Sequence, residues 1–123
     1  MNGIDFVYDT NIFIYIMQGN ENVSYFAETD RFAFSVITKL ELLGKFNIEA
    51  NEAKILTEML SWGQIFELDE QIEFTTIQLK QKYRLKLPDA IIAATAIENK
   101  LPLVSADKGF AQIEELDFIQ IDL

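Results

Sequence analysis

Four acids carry the chemical interest of this 123-residue chain: Asp9, Glu41, Asp89 and Asp107. The chain has no His and no Cys, so zinc sites of the Cys/His kind, disulfide scaffolds, Cys nucleophiles and Ser-His relays are excluded for want of the atoms. Any catalysis falls to carboxylates or to a lysine. Four carboxylates brought to one place make an oxygen-only site for a hard divalent cation, Mg²⁺ or Mn²⁺, which needs neither imidazole nor thiolate. Each acid also has a local explanation. Asp9, Thr10 or Asn11 could cap a helix. Thr38 to Glu41 spell a capping box, with Ile37 and Leu42 placed for a hydrophobic staple. Asp89 in a first helical turn would favour the helix dipole, and Asp107-Lys108-Gly109 reads as a turn. None of these local roles requires the four acids to meet, and spacing alone leaves both readings open.

The elements that would position the acids alternate along the chain. Residues 4–8 read as a buried strand, and Asp9-Thr10-Asn11 opens an apolar helical stretch over 12–17 that closes near Gly19. A second helical piece is expected over 23–28, a strand over 32–36 and a helix from Thr38 to Gly44 or a little beyond. Asn51 is placed to cap a helix running to about Ser61, and 64–68 is the third strand. Asp69 caps a longer helix in which Ile72, Thr76, Leu79 and Tyr83 share a face. Leu87-Pro88 punctuates it, and residues 89–99, rich in Ala and Ile, form a helix buried nearly all round. Residues 101–105 are the fourth strand, 109–115 a short helix and 118–121 a terminal strand. This alternation predicts a parallel sheet with helices on both faces, a three-layer α/β fold, as one domain over 1–123. Ligands of such sheets bind beyond the carboxyl ends of the strands, where the strand order reverses. Asp9 and Asp107 follow the first and fourth strands; if these are neighbours, all four acids can share one rim.

Charge qualifies the picture. Twenty acidic residues against ten basic give a formal net charge of −10, which argues against a nucleic-acid partner. The distribution is uneven: Lys80, Lys82, Arg84 and Lys86 cluster around Tyr83, while residues 110–123 carry Glu114, Glu115, Asp117 and Asp122 and no basic residue. The cluster is either a solvated helix face or a strip for phosphates. Half the residues are hydrophobic, too many for a disordered acidic tail. No apolar run approaches the ~18 residues of a membrane span, and acids interrupt the first apolar stretch, so neither a signal peptide nor an anchor is expected and a cytoplasmic location is.

Four segments taken together resemble a known family. Val7-Tyr8-Asp9-Thr10-Asn11-Ile12, residues 35–44 (SVITKLELLG), residues 87–96 (LPDAIIAATA) and residues 103–110 (LVSADKGF) look, in that order, like the successive motifs of PIN-domain ribonucleases. The likeness is greatest to the VapC-type toxins of bacterial and archaeal toxin–antitoxin pairs, and it runs over essentially the whole chain. It implies a three-layer α/β/α domain with a parallel sheet in the order 3-2-1-4-5. Asp9, Glu41, Asp89 and Asp107 match the family's acidic quartet. Thr10, Asn11 and Ser105 match small polar positions that support it, with Ser105 where Thr is frequent. On this likeness the chain would be a Mg²⁺- or Mn²⁺-dependent endoribonuclease leaving a 5′-phosphate and a 3′-hydroxyl. Asp9, Asp89 and Asp107 would hold the metal, and Glu41 would be either a ligand or a base that positions water. Lys80, Lys82, Arg84 and Lys86 would bind flanking phosphates of the RNA, and a VapB-like antitoxin and a second copy of the chain would be its partners.

Three other readings remain. A PIN-domain nuclease can serve RNA processing rather than toxicity, since fold alone does not fix the role. A non-catalytic binding module could keep the fold. A receiver-type signalling domain is also a small doubly wound sheet, but it needs paired acids after its first strand and an acceptor Asp at the end of its third; only Glu67 and Asp69 lie near that position.

Overall fold

The computed structural model describes residues 3–123. Five strands alternate with helices: β1 (Phe6–Tyr8), α1 (Thr10–Met17), a 3-10 turn (Glu21–Val23), α2 (Ser24–Ala27), β2 (Phe32–Ser35), α3 (Val36–Leu43), α4 (Ala50–Ser61), β3 (Gln64–Phe66), α5 (Glu70–Lys82), α6 (Leu87–Glu98), β4 (Leu103–Ser105), a 3-10 segment (Lys108–Gln112) and β5 (Phe118–Gln120). All strand pairs are parallel, as the alternation predicts, and the sheet order is β3-β2-β1-β4-β5, as the resemblance implies. β1 lies at the centre, with Val7 beside Leu103 and Tyr8 beside Val104. The first and fourth strands are therefore neighbours at the point where the order reverses, which is the condition for a shared rim.

Period-two alternation sends successive strand residues to opposite faces of the sheet. Val7 and Leu103 face a mainly aliphatic core with Ile72, Leu79, Ile91, Ile92 and Phe110. Tyr8 and Val104 face an aromatic core with Phe13, Phe32, Phe34 and Leu56. Covered on both faces, the strands read as short apolar runs with no polar side. In the aromatic layer Tyr8 stacks on Phe32 at 4.7 Å between ring centroids, and its hydroxyl donates to the Phe26 carbonyl at 2.9 Å. Burial holds that phenol well above its ordinary pKa range. In the aliphatic layer α6 is buried from Ala90 to Ala96. Its small residues let it lie close against the sheet and α5, and the Thr95 hydroxyl meets its own helix by donating to the Ile91 carbonyl at 2.7 Å. Ile92, wholly buried, should cost about 2–5 kcal/mol if cut to Ala.

Helix boundaries differ from the expected ones in informative places. α3 begins at Val36, and its cap is Ser35, whose hydroxyl accepts from the Ile37 N–H at 3.1 Å. The Thr38 capping box is thus not formed: Thr38 lies inside the helix with no exposure. α4 starts at Ala50, with Glu49 before it and no side-chain cap, so Asn51 is not its cap. Asp69 does cap α5, accepting from the Ile72 N–H at 2.9 Å. α6 begins at Leu87, because Pro88 suits a first turn, where no intrahelical donor is required.

Candidate active site

Asp9 follows the last residue of β1, and its N–H donates to the Val104 carbonyl at 3.0 Å, which ties it to the neighbouring strand. Only 5% of its surface is exposed. Oδ1 accepts from the Thr10 N–H at 2.8 Å, and Oδ2 accepts from the Ser105 hydroxyl at 2.6 Å. One oxygen thus serves the helix start, and the other is held from across the sheet.

Ser105 is the hub of this arrangement. Besides donating to Asp9, its oxygen accepts from the Asp107 N–H at 2.9 Å and from the Asn11 amide at 3.4 Å, which uses the full capacity of a hydroxyl. Asn11 in turn accepts a long 3.5 Å bond from the Ala106 N–H. Asp107 caps the 3-10 segment by accepting from the Gly109 N–H at 2.8 Å. On the other flank the Thr10 hydroxyl lies 2.7 Å from Glu41 Oε1 and 3.1 Å from the Thr38 hydroxyl. A hydroxyl has one proton, so Thr10 donates to Glu41 and Thr38 donates to Thr10. Thr38 is a member of the site that sequence reading assigned to a cap. The available signal was its placement one helical turn before Glu41, on the same face of α3.

The carboxylates act on one another. Burial pushes the Asp9 carboxyl up to about 6, the Ser105 and Thr10 hydrogen bonds oppose that rise, and the charges of Asp89 and Glu41 add to it. Asp89, half-buried in the first turn of α6, is raised first by burial and then by Asp107 and Glu41, while Lys86 pulls it down. Asp9 thus lies in the field of Asp89 and Glu41, and Asp89 in that of Asp107 and Glu41. Among the described residues no three acidic groups are drawn together tightly enough to form a finished metal clasp. Like charges repel, and Asp9, Glu41 and Asp107 are each held by their own donors. The donor set itself suits a hard cation: it is all oxygen, and Asp9 is a deeply buried carboxylate that no Lys or Arg neutralises by a salt bridge.

The basic cluster divides. Lys82 is paired with Glu115 at 3.1 Å, and Lys80 donates to the Leu85 carbonyl at 2.9 Å. Lys86 faces Asp89, and Arg84 is exposed. A groove of about 350 Å³ leads away from the acids on the other flank, from Thr10 and Glu41 past Ile14, Met17 and Leu56 to Lys45.

The architecture is that of an α/β/α domain with acids along one rim of its parallel sheet. A family comparison makes this specific: the model of the PIN domain matches residues 6–116, and the chain belongs to the PIN domain family, whose members are generally nucleases. A comparison with curated proteins gives no match. Among solved structures, the chain is similar to one in a toxin–antitoxin complex from Klebsiella pneumoniae, with 29% identity, a TM-score of 0.81 and coverage of 94% of this chain and 97% of that one. VapBC2 from Rickettsia felis, bound to a promoter DNA fragment, matches at 23% identity and a TM-score of 0.82, covering 97% and 100%. DNA-bound VapBC from Salmonella typhimurium matches at 22% and 0.82, covering 95% and 98%. At these lower identities the likeness is one of fold. No helix among the described residues is long and apolar enough to cross a membrane.

Proposed function

We propose that this chain is a Mg²⁺- or Mn²⁺-dependent endoribonuclease acting in the cytoplasm as the toxin of a VapBC-type pair, with residues 1–123 as its single domain. The observation that carries the reading is Asp9: a buried carboxylate, held by Ser105 and Thr10, in no salt bridge among the described residues and raised further by Asp89 and Glu41. Such a group is costly to keep charged unless the site exists to receive positive charge. Asp9, Asp89 and Asp107 would hold the ion. A divalent cation bound there supplies a Lewis acid for a phosphate oxygen and lowers the pKa of a water.

The chain's own residues supply the rest. Ser105, Thr10 and Asn11 fix the orientation of the acids, and Thr38 acts through Thr10 to aim Glu41. Glu41, exposed at the rim, would serve as a further ligand or orient the attacking water for in-line displacement, leaving a 5′-phosphate and a 3′-hydroxyl. Arg84 and Lys86 are the members of the basic cluster free to meet RNA phosphates beside Asp89; Lys80 and Lys82 would contribute less, being engaged. An antitoxin would cover the acidic rim and the groove that leads from it; the similar chain from Klebsiella pneumoniae comes from a toxin–antitoxin complex. A second copy of the chain would cover the outer face of α5, where Phe74 and Ile77 are 60% and 56% exposed beside Leu68 and Leu87.

The test is RNA cleavage with added Mg²⁺ or Mn²⁺. Loss of cleavage in Asp9→Asn and in Asp89→Asn, with folding intact by circular dichroism, is the expected result. Cleavage that persists in both variants, or survives EDTA, would overturn the reading.

A further inference from the structure

Two segments that lead to site acids are fastened together well outside the site. One is the turn between α5 and α6, which runs into Asp89; the other is the stretch after Asp107, from the 3-10 segment to Glu115. The Tyr83 hydroxyl donates to Glu115 Oε1 at 2.7 Å and accepts from the Glu114 N–H at 3.1 Å. Lys82 closes on Glu115 Oε2 at 3.1 Å, with its ammonium 5.3 Å from the centre of the Tyr83 ring. Gln112 adds two bonds from one amide nitrogen, to the Gly109 carbonyl at 3.0 Å and to the Arg84 carbonyl at 3.4 Å. The Tyr83 hydroxyl is thereby fully used, once as donor and once as acceptor.

We infer that Tyr83, with Glu115 as its anchor, is a positioning residue: it clasps the turn before Asp89 to the segment after Asp107 and so sets the spacing of those two carboxylates. The inference rests on the proposed metal site. α6 and the 3-10 segment are each packed on the core through Ile92 and Phe110, but that packing fixes each to the sheet. Among the described residues, the clasp and the Gln112 bridge are the hydrogen bonds that join the two approaches directly. Groups that hold a ligand from outside tune metal affinity, although they touch neither ion nor substrate.

The experiment titrates the intact protein with Mn²⁺ by calorimetry. Tyr83→Phe removes only the hydroxyl and keeps the ring packing. It should weaken Mn²⁺ binding by up to about tenfold, the low end for outer partners. It should also raise the Mn²⁺ concentration for half-maximal RNA cleavage, with the rate at saturating Mn²⁺ near that of the unmodified chain. Glu115→Gln, which can still accept from Tyr83 through its amide oxygen, should recover most of the affinity. If Asp89→Asn loses Mn²⁺ binding while Tyr83→Phe binds as tightly as the unmodified chain, the clasp is overturned and the site stands. If Asp89→Asn binds Mn²⁺ unchanged, the metal site falls and the clasp with it.

Discussion

Asp5 and Asp9 flank the same strand, and the fold treats them in opposite ways. Asp5, before β1, receives Arg31 in a two-pronged pair, with Nε at 2.7 Å and Nη2 at 3.0 Å, and the hydrogen bond from Arg31 holds its carboxyl below the ordinary range. Asp9, after β1, is buried with no cation, and its carboxyl is lifted to about 6. The carboxylate that serves the fold is given its counter-charge; the one proposed to hold a metal is denied it. The same contrast recurs later in the chain, where Glu115 is lowered by Tyr83 and Lys82 while Asp89 is raised by burial and then by its acidic neighbours.

The strongest way to break this contrast is to neutralise each member in turn. Asp9→Asn should lower RNA cleavage by at least about a hundredfold, as losses of charge-stabilising groups in active sites do, whereas Asp5→Asn should leave the rate unchanged. Equal losses in the two variants would show that both act through folding alone.

Stability against pH sharpens it further. Asp9 binds its proton more tightly in the fold than in the unfolded chain, where it titrates near 3.8. Below that value both states are protonated and nothing is lost. As pH rises to about 6, the unfolded chain releases the proton first, so the fold loses stability, by about 3 kcal/mol once both are charged. In EDTA, Asp9→Asn should therefore gain on the unmodified chain as pH rises from about 4 to 6 and hold that gain above it. Urea unfolding across this range measures it, and parallel curves would sink the account of Asp9. Asp5 carries the opposite sign: its contribution is present at neutral pH and disappears in acid, so Asp5→Asn should show its small destabilisation only above the carboxylate range.

Among the basic residues the contrast is between tied and free. Replacing Arg84 and Lys86 by Gln should weaken binding of single-stranded RNA and flatten the slope of log K against log salt by about 1.4. Lys82→Gln, which removes a cation already matched by Glu115, should change that slope least. Equal slopes for the two variants would mean that the strip is a solvated face.

Much of this was legible in the residues, and the exceptions have a physical cause. The parallel sheet and the strand-end placement of Asp9 and Asp107 follow from apolar runs alternating with helical patterns, because burial on both faces writes itself into composition, whereas the strand order is implied only by the resemblance to the PIN family. The start of α3 did not follow, because Ser35 and Thr38 are both good caps; only the packing of Thr38 against Thr10 decides between them. Lys82 reads as part of a basic strip since Glu115, its partner, is distant in the chain. Local spacing likewise left the meeting of the four acids open, because it depends on which strands are neighbours.

The bond between Ser105 and Asp9 joins residues 96 positions apart, and Asn11 reaches across a similar interval. Contacts of such long range are late events in folding, since the loop they close must be ordered before they return any stability. On a ribosome the first strand, its helix and Glu41 are all made well before the strand that completes their site. Asp9 waits, unsupported by Ser105, until β4 can pair with β1. On the proposed function, a chain of this order would gain its chemistry only as the last third of the fold closes on the first.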